Sequence, residues 1–183
     1  PTAFVGHPVI ESDVVNGVKG DFRKRHNIPE ENRLFLVLPG SRHNEVERLL
    51  PTFLDVVKNL HERYNDFSFV IPTVSTVSAQ VKEMVKQSGL PIEIVEGTKE
   101  RHDAFKSGDV AIAASGTVAL ELAIVDVPHI IAYKVPKLTE WLARHFIHIQ
   151  FVNLSNILLG KEVVPELLQQ DCTTENILHY VEQ

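Results

Sequence analysis

Short apolar runs alternate with longer segments of helical spacing from residue 34 onward. The first run, residues 34–38 (LFLVL), is apolar at every position and is followed by Pro39 and Gly40, which is typical of a strand buried on both faces. Such strand–helix units favour one parallel sheet with helices on both faces, so we predict an α/β, Rossmann-like fold. The predicted strands cover residues 34–38, 67–71, 92–95, 109–114 and 129–133, and the predicted helices 44–64, 78–87, 99–106 and 116–125. Pro51 is expected to kink or divide the first of these helices.

The chain length fits one domain of ordinary size. Of its 183 residues, 44% are apolar and 23% charged, which excludes a disordered or fibrous chain. Residues 34–183 contain no linker or repeat and are predicted to form one domain. Residues 1–33 are less regular and are predicted to be a connecting segment that leads into it. The chain begins without Met on an apolar segment, which suggests a piece of a longer protein.

Charge and motif content exclude several functional classes. The 18 basic and 24 acidic residues give a formal charge of −6, which argues against a nucleic-acid partner. Cys172 is the only cysteine, so the chain has neither a disulfide framework nor a cysteine zinc site. No dinucleotide-binding glycine motif, P-loop or HExxH motif is present. We therefore expect no cofactor and no metal.

The first predicted strand ends in a loop with the composition of an anion site. Gly40 lets a ligand approach the backbone, and Ser41 can cap the following helix, whose N-terminus favours negative charge. Arg42 adds a planar guanidinium that matches a phosphate. Taken alone, residues 39–42 are explained slightly better as an ordinary turn with a capping serine and a solvated arginine.

The fourth predicted strand ends in a second loop of this kind. Ser115, Gly116 and Thr117 are small or hydroxylated residues of the type that can enclose a diphosphate. Glu121 follows one helical turn later among apolar neighbours, where a carboxylate needs a partner. A ribose diol would satisfy it, and so would a nearby lysine or a backbone amide.

Residues 136–149 carry an apolar stripe that contains Trp141. The stripe predicts a helix that packs on its own sheet. The alternative is a surface for another domain, a second subunit or a membrane.

Three motifs in this order resemble the C-terminal half of the lipid-A-disaccharide synthase family. They are LPGSRHNEVE at residues 38–47, ASGTVALE at 114–121 and FVNLSNILLG at 151–160. The opening FVGHP, residues 4–8, is similar to the family's crossing point between its two halves. The resemblance covers essentially the whole chain.

The resemblance implies one half of a GT-B glycosyltransferase, with its active site in the cleft between two Rossmann-like halves. The family transfers the sugar of UDP-2,3-diacylglucosamine to 2,3-diacylglucosamine 1-phosphate, forms the disaccharide of lipid A and releases UDP without a metal. The missing N-terminal half would supply the lipid acceptor and the catalytic base. The implied protein is cytoplasmic and peripheral on the cytoplasmic face of the inner membrane, and a homodimer stays open.

Residue roles follow from the matched motifs. Arg42 would act catalytically by stabilising the departing diphosphate. The residues that would bind this diphosphate are Gly40, Ser41, Ser115, Gly116 and Thr117. Glu121 would bind the ribose. Asn156 would be a second catalytic residue, a polar contact in the active site. The family favours Ser and Pro where this chain has Asn153 and Ser155, so the chain departs from the family's pattern in that loop.

Two other functions remain open from the sequence. One is a different GT-B protein, such as a UDP-N-acetylglucosamine 2-epimerase, which places similar groups on UDP. The other is a nucleotide-binding domain without turnover.

Overall fold

The computed structural model describes residues 13–134 and 151–183. Six strands form the sheet: β1 (Arg33–Leu38), β2 (Phe67–Thr73), β3 (Ile92–Glu96), β4 (Val110–Ala113), β5 (His129–Tyr133) and β6 (Glu166–Leu168). The α-helices of the described residues are α1 (Lys19–Arg25), α2 (His43–Arg63), α3 (Ser75–Ser88), α4 (Thr98–Ser107), α5 (Thr117–Ile124), α6 (Leu154–Leu159) and α7 (Thr174–Val181). Short 3-10 helices cover Asp13–Asn16 and Gln169–Asp171. The opening motif at 4–8 and the apolar stripe at 136–149 lie outside the described residues.

All strand pairs in the sheet are parallel, in the order β3-β2-β1-β4-β5-β6. The predicted Rossmann-like fold is therefore confirmed. Helices α2, α3 and α7 contribute to the core on one face of the sheet, and α1, α4 and α5 to the core on the other. Strand β1 lies in the middle and is buried from Leu34 to Leu38, as its uninterrupted apolar run predicts.

The sequence predicts five strands and the structure has a sixth. Strand β6 is only three residues long, and of its side chains only Leu167 is buried. Its position comes from backbone pairing with β5, where Ile131 is opposite Glu166. A segment this short has no apolar periodicity that would mark it as a strand.

The sequence predicts that Pro51 kinks or divides the first long helix, and the structure shows that it does not divide it. Helix α2 runs unbroken from His43 to Arg63, with Pro51 inside it on the exposed side. Proline removes one helical hydrogen bond. The opposite face of the helix is an apolar stripe that includes Leu49, Leu50 and Phe53, all fully buried. Packing of that apolar stripe stabilises the helix by more than the missing hydrogen bond destabilises it.

Residues 13–33 are the described part of the predicted connecting segment, here called the lead-in segment, and they are packed into the core. Val14 and Phe22 are fully buried in the cluster that contains β1 and β4 residues. Arg23 is also buried, and its guanidinium donates to the carbonyls of Pro29 and Asn32 and to Asp109 at distances of 3.0, 2.8 and 2.7 Å. A charge that is this well hydrogen-bonded is tolerated inside a protein.

Asp103 on α4 connects that helix to the lead-in segment. Its carboxylate accepts hydrogen bonds from the Val18 amide at 2.9 Å, Arg25 at 2.7 Å and Lys99 at 2.6 Å. Burial by itself would raise the pKa of this carboxyl. The hydrogen bonds and the nearby positive charges outweigh burial, so the pKa falls from 3.8 to about 2.

We expect Asp103→Asn to lower the free energy of unfolding at pH 7 by about 2 kcal/mol, because the lowered pKa corresponds to stabilisation of the charged form. That stabilisation is fully present above about pH 4 and is lost as the pH falls through the folded-state pKa of about 2. Urea unfolding of both proteins at pH 7 and pH 2.5 measures the effect.

Asp55→Asn is the matched control, because Asp55 is an exposed carboxylate on α2. It should leave the unfolding free energy within about 0.5 kcal/mol of the parent. An equal loss for Asp103→Asn at both pH values would contradict the assignment, since it would not depend on the charge.

Candidate functional site

The candidate site lies where the strand order reverses, at the carboxyl ends of β1 and β4. Leu38 and Ala113 are opposite each other in the parallel register, and the Ala114 amide donates to the Leu38 carbonyl at 2.8 Å. The two loops that the sequence singles out therefore leave the sheet side by side. In open α/β sheets, ligands bind in the crevice at this position.

The first loop turns sharply before α2 begins at His43. Gly40 has a φ of +110°, which favours glycine, and an added Cβ would lie 2.8 Å from the Cβ of Glu45. The Glu45 carboxylate accepts from the Ser41 amide at 3.1 Å and from Nη1 of Arg42 at 2.7 Å. This contact with Glu45 raises the pKa of Arg42, so the guanidinium stays charged.

The second loop passes directly into α5. Gly116 has a φ of +153° and is the N-cap of that helix. The hydroxyl groups of Ser115 and Thr117 make no hydrogen bond with any described residue, and neither side chain is buried. Amides at the start of a helix and free hydroxyls beside them are donors suited to an anion.

One cavity of about 320 Å³ joins the two loops. Of the eight predicted site residues, seven line it: Gly40, Ser41, Arg42, Ser115, Gly116, Thr117 and Glu121. The remaining lining residues among those described are Leu38, Glu45, Pro72, Thr73, Val74, Arg101, Ala114 and Val118. The structure shows that these seven residues lie close together around one cavity. The binding role of each residue stays a prediction.

Glu121 faces this cavity with 17% of its side chain exposed. Its partner is Arg101 on α4, with the nearest nitrogen and oxygen 3.8 Å apart. This is an ion pair rather than a close hydrogen bond. Among the described residues nothing else pairs with the Glu121 carboxylate, so its oxygens can accept hydrogen bonds from a ligand.

Asn156 is not among the described residues that line the cavity. It is fully buried, and its amide nitrogen donates to the Val164 carbonyl at 2.8 Å and to Glu166 at 2.7 Å. Its amide oxygen accepts from the backbone of Val163 and Val164 at 2.8 and 3.0 Å. These hydrogen bonds occupy both the nitrogen and the oxygen of the Asn156 amide, and they hold α6 against β6.

Of the eight lining residues that were not predicted from the sequence, three have polar side chains. Glu45 lies three residues after the N-cap Arg42, but a capping box needs Ser or Thr at the N-cap, so no sequence motif marks it. Thr73 ends β2, is buried and has an Oγ1 with no hydrogen-bond partner in the described part of the chain. Arg101 is the fourth residue of α4, and no local pattern distinguishes it from other exposed helical arginines.

Three further features of the described residues bear on the kind of site. Within residues 13–134 and 151–183, no three His, Cys, Asp or Glu side chains are grouped so as to hold a metal ion. No helix in those ranges combines the length and apolar character needed to cross a bilayer. Cys172 is buried away from the cavity, and burial raises the pKa of its thiol.

Solved structures with the same architecture are GT-B glycosyltransferases and related sugar-nucleotide enzymes. The ADP-heptose lipopolysaccharide heptosyltransferase II of E. coli superposes with a TM-score of 0.64 at 9% identity, over 90% of this chain and 50% of that one. The UDP-GlcNAc 2-epimerase of Neisseria meningitidis, solved with UDP-GlcNAc, gives a TM-score of 0.59 at 14% identity, over 96% of this chain and 43% of that one. At these identities the likeness establishes the fold.

Sequence relatives are far closer than these structures. The lipid-A-disaccharide synthase of Rhodospirillum centenum is 46% identical over 97% of this chain, and that of Paramagnetospirillum magneticum is 44% identical over 99%. The chain spans 44% and 47% of the length of these two relatives. The sequence model of the lipid-A-disaccharide synthetase family matches residues 1–181. With two of the three motifs on one cavity and a match along nearly the whole chain, this protein belongs to the lipid-A-disaccharide synthase family of glycosyltransferases.

Proposed function

We propose that this chain is the nucleotide-sugar-binding half of a lipid-A-disaccharide synthase. Its donor would be UDP-2,3-diacylglucosamine and its acceptor 2,3-diacylglucosamine 1-phosphate, giving the lipid A disaccharide and UDP. The observation that carries the proposal is the single cavity at the strand-order reversal, lined by both anion-type loops and by Glu121. Family membership favours this function over a UDP-N-acetylglucosamine 2-epimerase, whose similarity to the chain is one of fold.

In this proposal, residues of the nucleotide-sugar-binding half stabilise the diphosphate as it departs. As the glycosidic bond to UDP breaks, negative charge grows on the diphosphate oxygens. Arg42 would meet that charge with a guanidinium that is 73% exposed. Backbone amides at Gly116 and Thr117, with the hydroxyl groups of Ser115 and Thr117, would supply further donors. All these groups are donors or cations, so the proposal needs no metal.

Glu121 would orient the nucleoside. A carboxylate accepts both hydroxyls of a ribose diol, and here it lies one turn into the helix whose first turn would bind the phosphates. Arg101, at 3.8 Å, would keep the Glu121 carboxylate directed into the cavity.

The remaining parts of the reaction would come from outside these 183 residues. We propose that the other half of the enzyme supplies the lipid acceptor and the base that removes its proton. The whole protein would work in the cytoplasm as a peripheral protein on the inner-membrane surface, either as a monomer or as a homodimer.

UDP should bind the isolated chain, and Arg42→Ala should weaken UDP binding about tenfold while changing uridine binding less than twofold. The reason is that a charge-assisted contact to phosphate is lost and no contact to the nucleoside is. Isothermal titration calorimetry with the two ligands measures the difference. Arg48→Ala is the control, since Arg48 lies outside the cavity on the same helix; an equal loss for UDP and uridine with Arg42→Ala would refute the role.

Glu121→Gln should weaken UDP binding about tenfold and 2′,3′-dideoxy-UDP binding less than twofold, because only UDP offers hydroxyls to the carboxylate. Loss of the ion pair with Arg101 affects both ligands alike and therefore cancels in the comparison. Calorimetric titration of the parent and the variant with both ligands is the measurement. A variant that loses thermal stability but keeps the parent's selectivity between the ligands would make Glu121 a structural carboxylate.

We expect the chain alone to bind the donor without transferring its sugar. Transfer needs an acceptor hydroxyl held in line with the anomeric carbon and a base for its proton. The assay is UDP release from UDP-2,3-diacylglucosamine with the lipid acceptor present, with and without the other half of the enzyme added. Efficient disaccharide formation by the chain alone would overturn this division of roles.

A further inference from the structure

Glu45 contacts Gly40, Ser41 and Arg42 of the first loop. One carboxylate oxygen accepts from the Ser41 amide at 3.1 Å and the other from Nη1 of Arg42 at 2.7 Å. The space beside Gly40 is filled by the Glu45 side chain, whose Cβ would lie 2.8 Å from a Cβ at that position. Glu45 is 8% exposed, so it is fixed by packing as well as by hydrogen bonds.

Arg42 is held by this contact at one nitrogen only. Its side chain is 73% exposed, and its Nε and Nη2 atoms have no partner among the described residues. A long, exposed arginine normally occupies many rotamers, and ordering it on ligand binding costs affinity. A guanidinium already fixed at one end has part of that ordering done before the ligand arrives.

We infer that Glu45 is a positioning residue for the anion site. It holds Arg42 so that the free edge of the guanidinium points toward a bound diphosphate, and it fixes the Ser41 amide on the same side. This inference rests on the proposed function and adds to it a residue that never touches the ligand. Attraction between Arg42 and an anion offsets the repulsion between Glu45 and the same anion.

The opposite role is that Glu45 takes the place of the ligand's anion. In that case it competes for the Ser41 amide and Arg42, and removing its charge tightens binding. The two roles therefore predict changes of opposite sign. The free Nε and Nη2 of Arg42 favour positioning, since a competing carboxylate would occupy the edge that the ligand needs.

The test is a double-mutant cycle of the parent, Glu45→Gln, Arg42→Ala and the double variant, titrated calorimetrically with UDP, inorganic pyrophosphate and uridine. We expect Glu45→Gln to weaken UDP and pyrophosphate about fivefold and uridine less than twofold. In the Arg42→Ala background the same change should cost less than twofold, because Glu45 acts through Arg42. Glu47→Gln removes a charge from an exposed position outside the cavity and should change nothing.

Each alternative has its own result. Tighter UDP and pyrophosphate binding by Glu45→Gln would show competition with the ligand, and an equal loss in both backgrounds would show that Glu45 acts independently of Arg42. A parent chain that binds neither UDP nor pyrophosphate would overturn the proposed function and this inference together. A parent that binds both, with an additive cycle, would overturn this inference alone.

A second variant keeps the test decisive if Glu45→Gln does not fold. Arg42→Lys keeps the charge but has one ammonium group, which cannot hold Glu45 and present a separate planar edge to the ligand. We expect it to bind pyrophosphate about as weakly as Arg42→Ala does. Parent-like affinity in Arg42→Lys would refute positioning of the guanidinium.

Discussion

The pairing of β1 with β4 is the interaction on which the candidate site depends. Those strands are neighbours in space but are separated in sequence by β2 and β3, so the sheet grows in opposite directions on either side of them. Helix α2 follows β1 onto one face, and α5 follows β4 onto the other. The hydrogen bond from Ala114 to Leu38 fixes the two strand ends together, at 2.8 Å, and leaves a crevice between the helices.

The charges in this crevice are balanced rather than uniformly basic. Arg42 is paired tightly with Glu45 at 2.7 Å, whereas Arg101 and Glu121 are 3.8 Å apart. A site with equal numbers of arginines and carboxylates does not attract anions through bulk charge. Its selectivity must come from the direction of a few donors and acceptors, which suits a ligand with both a diphosphate and a diol. The acidic balance of the whole chain agrees with that view.

The position of α4, and with it Arg101, depends on a part of the chain remote in sequence. Asp103, two residues after Arg101, is fixed by the Val18 amide and by Arg25 of α1. Arg23 ties the same segment to Asp109, just before β4. Buried, charge-assisted contacts of this kind are costly to break singly. The lead-in segment thus helps to position the side of the cavity that Arg101 and Glu121 line.

The sequence by itself determined strands β1 to β5, the parallel fold and the two loops, because apolar runs, glycines and helix starts are local signals. Other features of the fold and the site have no local sequence signal and depend on the tertiary structure alone. It extended α2 through Pro51 because a buried face holds the helix together, and it added β6 through backbone pairing. It also brought Arg101 to Glu121 from another helix and engaged Asn156 with its own neighbours instead of the cavity. These contacts join elements that meet only when the sheet is assembled, so no window of sequence contains them.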